Sequence, residues 1–582
     1  MKGPTAERVS VGSTAPPARP AADQPPGTTT GGTPDPHHRT GALRLLLHAA
    51  AELPLVIVGV VEMLRGWRPL FDNASIALRS YQVFSRQIPL VGHQVALSAG
   101  TQPVFSPGPL ENWLLAVPVR LDPAQGALCG AILFAVIGIA LAIEAGWSTA
   151  QWWGAVAVTV SVLILFAVRG EVAVDVVWNA WFGLVFVITT LATGWAVASG
   201  NLRWWPVTVL AASVAAQCQE VNAPAVVLVC AIAPVLGMLV CRHRSHPIRY
   251  WPLVAGTAVG ALAWSAPVIQ QLTHRPGNLS MLWRAANQRG ATVGLSQAIG
   301  ALGAGIRPVP GWVHAPPVNG AYPGFVYVVD IFADPRWWAI LAMALLVVIG
   351  IIAWSTDRLQ MAGAATISVV AGVGCVVAFA AVPESQFLTF EYLGAVVIPI
   401  GTTVWLTLVW ALVESIRVLR SRIPVANRPS EAGSRPRTGA SSRRPTIPAV
   451  ILWITASAIA CVWGLVSALS LVGTDLPTSG GWAAVRATDS AVAAVVHLDP
   501  RSPFRMELSS HLGARQFSVL TGTAYLLDTR GFEARLDGPD TAATYGPVSA
   551  SMPVVLVTVP DSGNGVTASI ERSGPSGDPS DR

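Results

Sequence analysis

The chain has 582 residues, of which 52% are hydrophobic and 12% are charged, with a net charge of +6 and a mean hydropathy of +0.53. Lys2 is the one lysine in the sequence, which excludes a P-loop NTPase and lysine-based Schiff-base chemistry. The arginines cluster beside apolar segments, as is typical of membrane proteins, and this argues against a nucleic-acid-binding protein.

Eleven apolar segments approach the length of about 20 residues that a helix needs to cross a bilayer. They are residues 42–64, 124–143, 152–168, 179–198, 204–217, 222–240, 250–270, 336–354, 360–382, 393–413 and 448–473. The polar residues Gln217, Gln219, Glu220 and Asn222 separate two short segments, so a re-entrant pair stays open there as an alternative to two crossings. We predict an all-α polytopic membrane protein with about 11 transmembrane helices.

The remaining segments differ in composition from this membrane region, which covers residues 42–413. Residues 1–41 are expected to form a disordered cytosolic tail, residues 414–447 a disordered cytosolic linker, and residues 561–582 a second disordered tail. After the last span, residues 474–560 show a helical pattern at 482–498 and strand patterns at 504–508 and 553–559. These patterns predict a small extracytoplasmic α+β domain, which we expect to bind or position an acceptor.

Orientation follows from two basic clusters. Arg242, Arg244 and Arg249 form the first cluster, and eight arginines between positions 417 and 444 form the second. The positive-inside rule makes the side that carries them cytoplasmic. The amino terminus is then inside, and the loops 65–123 and 271–335 and the carboxyl-terminal domain lie outside the cytoplasmic membrane.

The outer loop 65–123 carries Asp72 shortly after the first apolar segment. A carboxylate at the outer mouth of a helix bundle suits a catalytic base or a metal ligand. The alternative is that Asp72 caps a helix starting near Ala74.

Further polar residues are expected at the same membrane face and are interpreted as substrate-binding. They are Arg79, Glu111, Arg169, Asp175, Gln271, His274, Arg275 and Asn278. Arg275 is the candidate clamp for a phosphate group.

Metal binding and intramembrane acids leave alternatives open. His93, His274 and His314 lack the close spacing of a helical ligand pair, so the sequence assigns no cofactor, while a divalent cation bound through Asp72 stays open. Glu52 and Glu144 are isolated acids near helix ends, for which interfacial exposure or a helix–helix hydrogen bond is favoured over a proton relay.

Several of these features occur together in one family. The loop bearing Asp72, the element Ser106-Pro107-Gly108-Pro109-Leu110 and the helix start at Trp178-Asn179 resemble the GT-C superfamily of multi-spanning bacterial glycosyltransferases, and the stretch 271–279 resembles an element of an uncharacterised branch. The resemblance covers roughly residues 42–415. It implies a polyprenyl-phosphate-sugar donor and maps the acidic base or metal ligand of the first outer loop onto Asp72. The chain has Asp72-Asn73 where the family has a paired Asp/Glu.

The resulting functional prediction is an inverting membrane glycosyltransferase. It transfers a sugar from a polyprenyl-phosphate-linked donor to an envelope glycan, lipid or protein acceptor on the extracytoplasmic side, among membrane lipids and without nucleic acid. A polytopic transporter or flippase is the main alternative, although no internal repeat is visible and the acids gather at one edge. The third interpretation is a non-catalytic membrane scaffold that presents the carboxyl-terminal domain.

Overall fold

The computed structural model describes most of the chain. The described residues are 36–99, 102–287, 291–307, 336–384, 386, 391–422, 447–472, 481–498, 500, 503–508, 514–536, 544–545, 548–549, 552–559 and 566–571. The chain divides into a short unit, Met1–Leu43, and one compact unit, Arg44–Arg582. The predicted disordered segments lie mostly outside the described residues, but residues 36–41 and 414–422 are helical, so the expected disorder is wrong there.

Helices dominate the membrane region. They are α1 (Pro36–Leu64), α2 (Phe71–Gln82), α3 (Leu110–Leu121), α4 (Gly126–Ala150), α5 (Trp152–Val168), α6 (Glu171–Val174), α7 (Asn179–Ala198), α8 (Trp205–Cys218), α9 (Ala223–His243), α10 (Trp251–Ala263), α11 (Ser265–Thr273), α12 (Asn278–Ala286), α13 (Gly294–Ile306), α14 (Trp337–Ser355), α15 (Leu359–Ala381), α16 (Val397–Arg422) and α17 (Ile447–Leu471). Short 3-10 turns occur at Leu202–Trp204, Glu220–Asn222 and Glu391–Gly394.

Each of the eleven predicted spans coincides with a helix or a bent helix pair, and the predicted polytopic helical fold is confirmed. Among the described residues, seven helices are long and apolar enough to cross a membrane, or eight if the pair α10–α11, bent by 43°, is one span. The lower number arises because α5 and α8 have 17 and 14 residues and fall below the length of an ordinary span. In helix α17, the structure describes the side chains of only some residues.

The two ends of the helix bundle carry different polar groups. Asn179, at the start of α7, donates to the carbonyl of Cys218 at the end of α8, with 2.6 Å between Nδ2 and O. At the opposite end, His243, the last residue of α9, lies 3.4 Å from Asp357 after α14. The basic cluster 242–249 therefore lies at the end of the bundle opposite to α2.

A β-hairpin projects from the end that carries α2. Strands β1 (Gln94–Ala99) and β2 (Gln102–Phe105) pair antiparallel. Val104 of the hairpin packs with Met281 and Ala285 of α12, which closes a small apolar core beneath it. The hairpin thereby connects the segment between α1 and α4 to α12.

The carboxyl-terminal part forms the predicted α+β layer. It contains α18 (Gly481–Leu498), β3 (Phe504–Leu508), α19 (Ala514–Asp528), β4 (Ala534–Leu536), β5 (Val554–Thr558) and β6 (Thr567–Glu571). The strand order is β4-β3-β5-β6, with β3 parallel to β4 and β5 and with β6 antiparallel to β5. The predicted helix and strands thus lie where the sequence patterns place them.

This layer packs directly on the segment between α1 and α4. The hydroxyl of Tyr525 donates to the carbonyl of Pro123 at 2.8 Å, and Arg68 Nε lies 3.0 Å from Asp489 Oδ1. Residues near the start and near the end of the chain therefore form one face of the molecule.

Candidate active site

Asp72 lies in the first turn of α2. The helix begins at Phe71, and its N-cap, Leu70, makes no side-chain capping hydrogen bond. The alternative that Asp72 caps a helix starting near Ala74 is therefore wrong, because the helix starts before Asp72. A carboxylate in the first turn is stabilised by the helix dipole. The Asp72 side chain is 26% exposed and thus accessible to a ligand.

His93 is the ionisable partner of Asp72. Its Nε2 lies 3.3 Å from Asp72 Oδ1, and its side chain is 14% exposed. The backbone around His93 is fixed, since its carbonyl accepts a 2.7 Å hydrogen bond from the Ser106 amide. Sequence analysis considered His93 only as an isolated metal ligand and missed this pair, because nothing in the sequence relates positions 72 and 93.

Behind Asp72, a buried pair anchors α2 to the loop between α5 and α7. Asn73 Nδ2 donates to Asp175 Oδ1 at 2.6 Å, and both residues are buried. Burial raises the pKa of Asp175 to about 7; the negative charges of Asp72, Glu62 and Glu171 add to the shift, and the Asn73 hydrogen bond opposes it. Asp175 therefore titrates near neutral pH. Its hydrogen-bond partner, Asn73, directly follows Asp72, which carries the accessible carboxylate.

Arg79 supports the loop that presents His93. Its Nη1 donates to the Gly92 carbonyl at 2.9 Å and to the Val91 carbonyl at 3.3 Å, and its guanidinium lies 4.8 Å from the Phe105 ring centroid. Burial lowers the pKa of Arg79 to about 10. These contacts use Arg79 to shape the loop; its predicted role in substrate binding stays a prediction.

The other two predicted arginines differ in exposure. Arg169, at the end of α5, is 2% exposed, whereas Arg275 is exposed at the turn after α11. Of the two, Arg275 is the one placed to meet a ligand from outside the protein.

The segment from Gln271 to Asn278 is held to the hairpin by its own side chains. Gln271 pairs with Ser280, donating from Nε2 to the hydroxyl at 2.6 Å and accepting from the backbone amide at 3.1 Å. Asn278 pairs in the same way with the backbone of Phe105, at 3.0 and 2.8 Å. His274 is exposed beside Arg275. Gln271 and Asn278 therefore fasten the turn that presents His274 and Arg275.

Glu111 is buried near the start of α3. Burial raises the pKa of its carboxyl well above the usual range, and the Cys218 thiol lies 3.9 Å from Oε2. Glu111 thus borders the helix ends that Asn179 joins.

The structure thus sorts the predicted residues into groups. Asp72 and Asp175 belong to one group, together with His93 and Asn73, which sequence analysis did not assign to the site. Arg79, Gln271, His274, Arg275 and Asn278 belong to the hairpin and the turn attached to it, while Glu111 and Arg169 are buried at helix ends. The hairpin joins the first two groups, because His93 precedes β1 and Phe105 ends β2.

Metal binding and one internal cavity are the remaining features of the described ranges to relate to this arrangement. No three His, Cys, Asp or Glu side chains of the described residues are arranged to hold a metal ion. A cavity of about 80 Å³ lies between α5, α7, α15 and α16. Its lining is mainly apolar, includes Trp153, Trp195 and Trp410, and contains no predicted site residue.

Comparison with known proteins finds neither a matching family model nor a matching curated protein. Two solved structures are similar in overall arrangement. A crystal structure of ArnT from Cupriavidus metallidurans bound to undecaprenyl phosphate has 14% sequence identity and a TM-score of 0.48, and the match covers 90% of this chain and 94% of that one. The apo crystal structure of the same protein has 14% identity, the same coverage and a TM-score of 0.45.

Proposed function

We propose that this chain is a membrane glycosyltransferase that moves a sugar from a polyprenyl-phosphate-linked donor to an envelope glycan, lipid or protein acceptor on the extracytoplasmic side. One observation carries the proposal. Asp72 presents an accessible carboxylate from the first turn of a rigid helix, paired with His93 at 3.3 Å and anchored by the buried Asn73–Asp175 hydrogen bond. A fixed carboxylate beside a histidine is suited to accept a proton from a hydroxyl.

The chemistry needs one base. Asp72 accepts the proton of the acceptor hydroxyl while the oxygen of that hydroxyl attacks the anomeric carbon of the sugar. The bond from that carbon to the phosphate oxygen breaks, and the electron pair leaves with polyprenyl phosphate. A single displacement of this kind inverts the anomeric configuration. His93, whose Nε2 lies 3.3 Å from Asp72 Oδ1, holds the orientation of the Asp72 carboxylate.

Arg275 is proposed to bind the phosphate of the donor. Its turn is fixed at both sides by the Gln271–Ser280 and Asn278–Phe105 hydrogen bonds, so the backbone that carries the exposed Arg275 side chain has a defined place. A guanidinium binds phosphate oxygens with two parallel hydrogen bonds. Arg79, already engaged with the Gly92 carbonyl, is assigned a supporting role.

An apolar surface leads up to Arg275, which supports a lipid-linked phosphate. Leu262, Val268 and Leu272 on α10 and α11 are 71%, 48% and 74% exposed. In a bilayer such side chains face acyl chains, so a polyprenyl tail has a compatible surface next to the arginine.

The side of the membrane follows from charge. The arginines 242–249 lie at the end of the bundle opposite to α2, and basic loops are enriched on the cytoplasmic side. We therefore assign the end that carries Asp72 to the extracytoplasmic face.

The test is sugar transfer by purified protein in lipid vesicles, supplied with labelled polyprenyl-phosphate sugars and envelope acceptors. Asp357→Asn is the matched control, because Asp357 also pairs with a histidine, His243, but at the other end of the bundle. The proposal predicts transfer by the wild-type and Asp357→Asn proteins, inversion at the anomeric carbon, and transfer by Asp72→Asn that is slower by about 10² to 10⁴. Equal transfer by all three proteins would refute it.

A further inference from the structure

Phe71, the residue directly before Asp72, has a left-handed backbone conformation with φ of +50°. This conformation is unfavourable for a residue with a bulky side chain and persists only where surrounding contacts hold it. The direction in which Asp72 leaves the backbone depends on this turn. Contacts that hold Phe71 therefore also determine where the Asp72 carboxylate lies.

Two residues of α19, in the carboxyl-terminal layer, hold Phe71. The Phe71 amide donates to the Thr521 hydroxyl at 2.9 Å. The Phe71 ring packs edge-to-face on Phe517, with ring centroids 5.4 Å apart and planes at 73°. The Thr521 hydroxyl itself donates to the carbonyls of Phe517 and Ser518 at 3.1 and 3.0 Å, which turns its lone pairs toward Phe71.

Neighbouring contacts keep α19 close to this turn. Gly522 approaches Leu70 and Pro69 so closely that an added Cβ would lie 2.4 Å from Leu70 Cδ2 and 3.0 Å from the Pro69 carbonyl oxygen. The Tyr545 hydroxyl donates to the Thr521 carbonyl at 3.1 Å, and Tyr545 is 3% exposed. The left-handed turn is thus enclosed by the carboxyl-terminal layer.

We infer that Thr521 and Phe517 are positioning residues for Asp72, so that the carboxyl-terminal layer completes the active site and does more than bind an acceptor. This inference rests on the proposed function of Asp72. Thr521 acts by accepting the Phe71 amide hydrogen, and Phe517 acts by fixing the Phe71 ring. Loss of either contact lets the backbone relax and moves the carboxylate away from the reacting hydroxyl.

The experiment compares Thr521→Val, which removes the hydroxyl at nearly constant shape, with Thr521→Ser, which keeps it. Thr523→Val is the matched control, because Thr523 is a buried threonine of the same helix whose hydroxyl has no hydrogen-bond partner among the described residues. We expect Thr521→Val to lower kcat by about 10- to 100-fold, as small misplacements of a catalytic group do. We expect KM for the donor to stay within about twofold, and Thr521→Ser and Thr523→Val to keep kcat within about threefold of wild type.

A double variant separates this inference from the proposed function. If Thr521 acts through Asp72, Thr521→Val causes no further loss in an Asp72→Asn background, since coupled residues are not additive. Additive losses, or a Thr521→Ser protein as slow as Thr521→Val, would overturn the positioning role while leaving Asp72 as the base. Full activity of Asp72→Asn alone would instead overturn the proposed function. If Thr521→Val does not fold, Phe517→Leu tests the same inference, and an unchanged kcat in that variant contradicts it.

Discussion

Asn73 and Asp175, 102 positions apart, share a 2.6 Å hydrogen bond that joins the helix bearing Asp72 to the loop after α5. The second oxygen of this carboxylate, Oδ2, is buried and has no hydrogen-bond partner within the described part of the chain. At high pH the Asp175 carboxylate is ionised, and a buried charge without full compensation lowers the stability of the folded state. The pair therefore links the geometry of the site to the pH dependence of stability.

Asp175→Asn should stabilise the protein increasingly as pH rises. The folded pKa of Asp175 is about 7, against about 3.9 in an unfolded chain. The native state thus holds the proton more tightly, so the free energy of unfolding due to this group falls from about pH 4 to pH 7 and is constant above. Asparagine does not titrate and can still accept from Asn73. We expect a gain on the order of 1–3 kcal/mol at pH 8 and almost none at pH 4.5, measured by thermal unfolding in detergent. A gain that shrinks as pH rises would contradict the shifted pKa.

His93→Gln should slow transfer by about tenfold, because loss of the 3.3 Å contact between His93 Nε2 and Asp72 Oδ1 lets the base move from its position. The loss should appear in kcat, since His93 orients Asp72 and is not expected to bind the donor. The KM for the donor should stay within about twofold of wild type. His243→Gln, in the pair at the other end of the bundle, serves as the control. A His93→Gln protein with the wild-type kcat would rule out His93 as the partner of the base.

Glu144→Gln should lower stability, because Glu144 connects α4 to α1. Its carboxylate is paired with Arg44 and lies 2.9 Å from His48 Nε2, while His48 Nδ1 lies 2.8 Å from Glu52. These groups are partly exposed, so we expect a loss of about 1 kcal/mol by thermal unfolding. Asp357→Asn, which removes an exposed pair, should cost less than about 0.5 kcal/mol. Equal stability of the Glu144→Gln and wild-type proteins would show that the network does not hold the two helices together.

Cysteine accessibility should establish the orientation. Two exposed residues are replaced by cysteine in separate variants, Arg530→Cys and Thr356→Cys. Arg530 lies on the surface of the carboxyl-terminal layer, and Thr356 lies at the opposite end of the bundle, after α14. In a background with Cys129→Ala, an impermeant thiol reagent should label position 530 in intact cells and position 356 only after permeabilisation. The reverse pattern would invert the topology and place the Asp72 end inside.

The sequence predicted the helices better than the contacts between them. The predicted span 179–198 coincides with α7, since a long apolar run specifies a membrane helix by composition alone. Glu144 was expected to be isolated, yet it is paired across two helices, because side chains 96 and 100 positions away meet it only in the folded bundle. Interfacial exposure or a helix–helix hydrogen bond was favoured over a proton relay, and the structure shows Glu144 in hydrogen bonds between two helices.

The site shows the same limit. The position of Asp72 after the first span was visible in the sequence, whereas its partner His93 and the anchor between Asn73 and Asp175 depend on loop packing. The hydrogen bond from Phe71 to Thr521 joins residues 450 positions apart, and no local pattern indicates such a contact. Local periodicity predicts helices and strands, but the chemistry of this site arises from contacts between residues that are far apart in the sequence.

The central claim, that Asp72 is the base of a sugar transfer, is tested most directly by measuring donor binding and single-turnover transfer on the same Asp72→Asn protein. Asparagine keeps the size of the side chain but cannot accept a proton at neutral pH. We predict donor affinity within about twofold of wild type, unchanged thermal stability, and a transfer rate lower by about 10² to 10⁴. An Asp72→Asn protein that binds the donor and transfers the sugar at the wild-type rate would contradict the assignment.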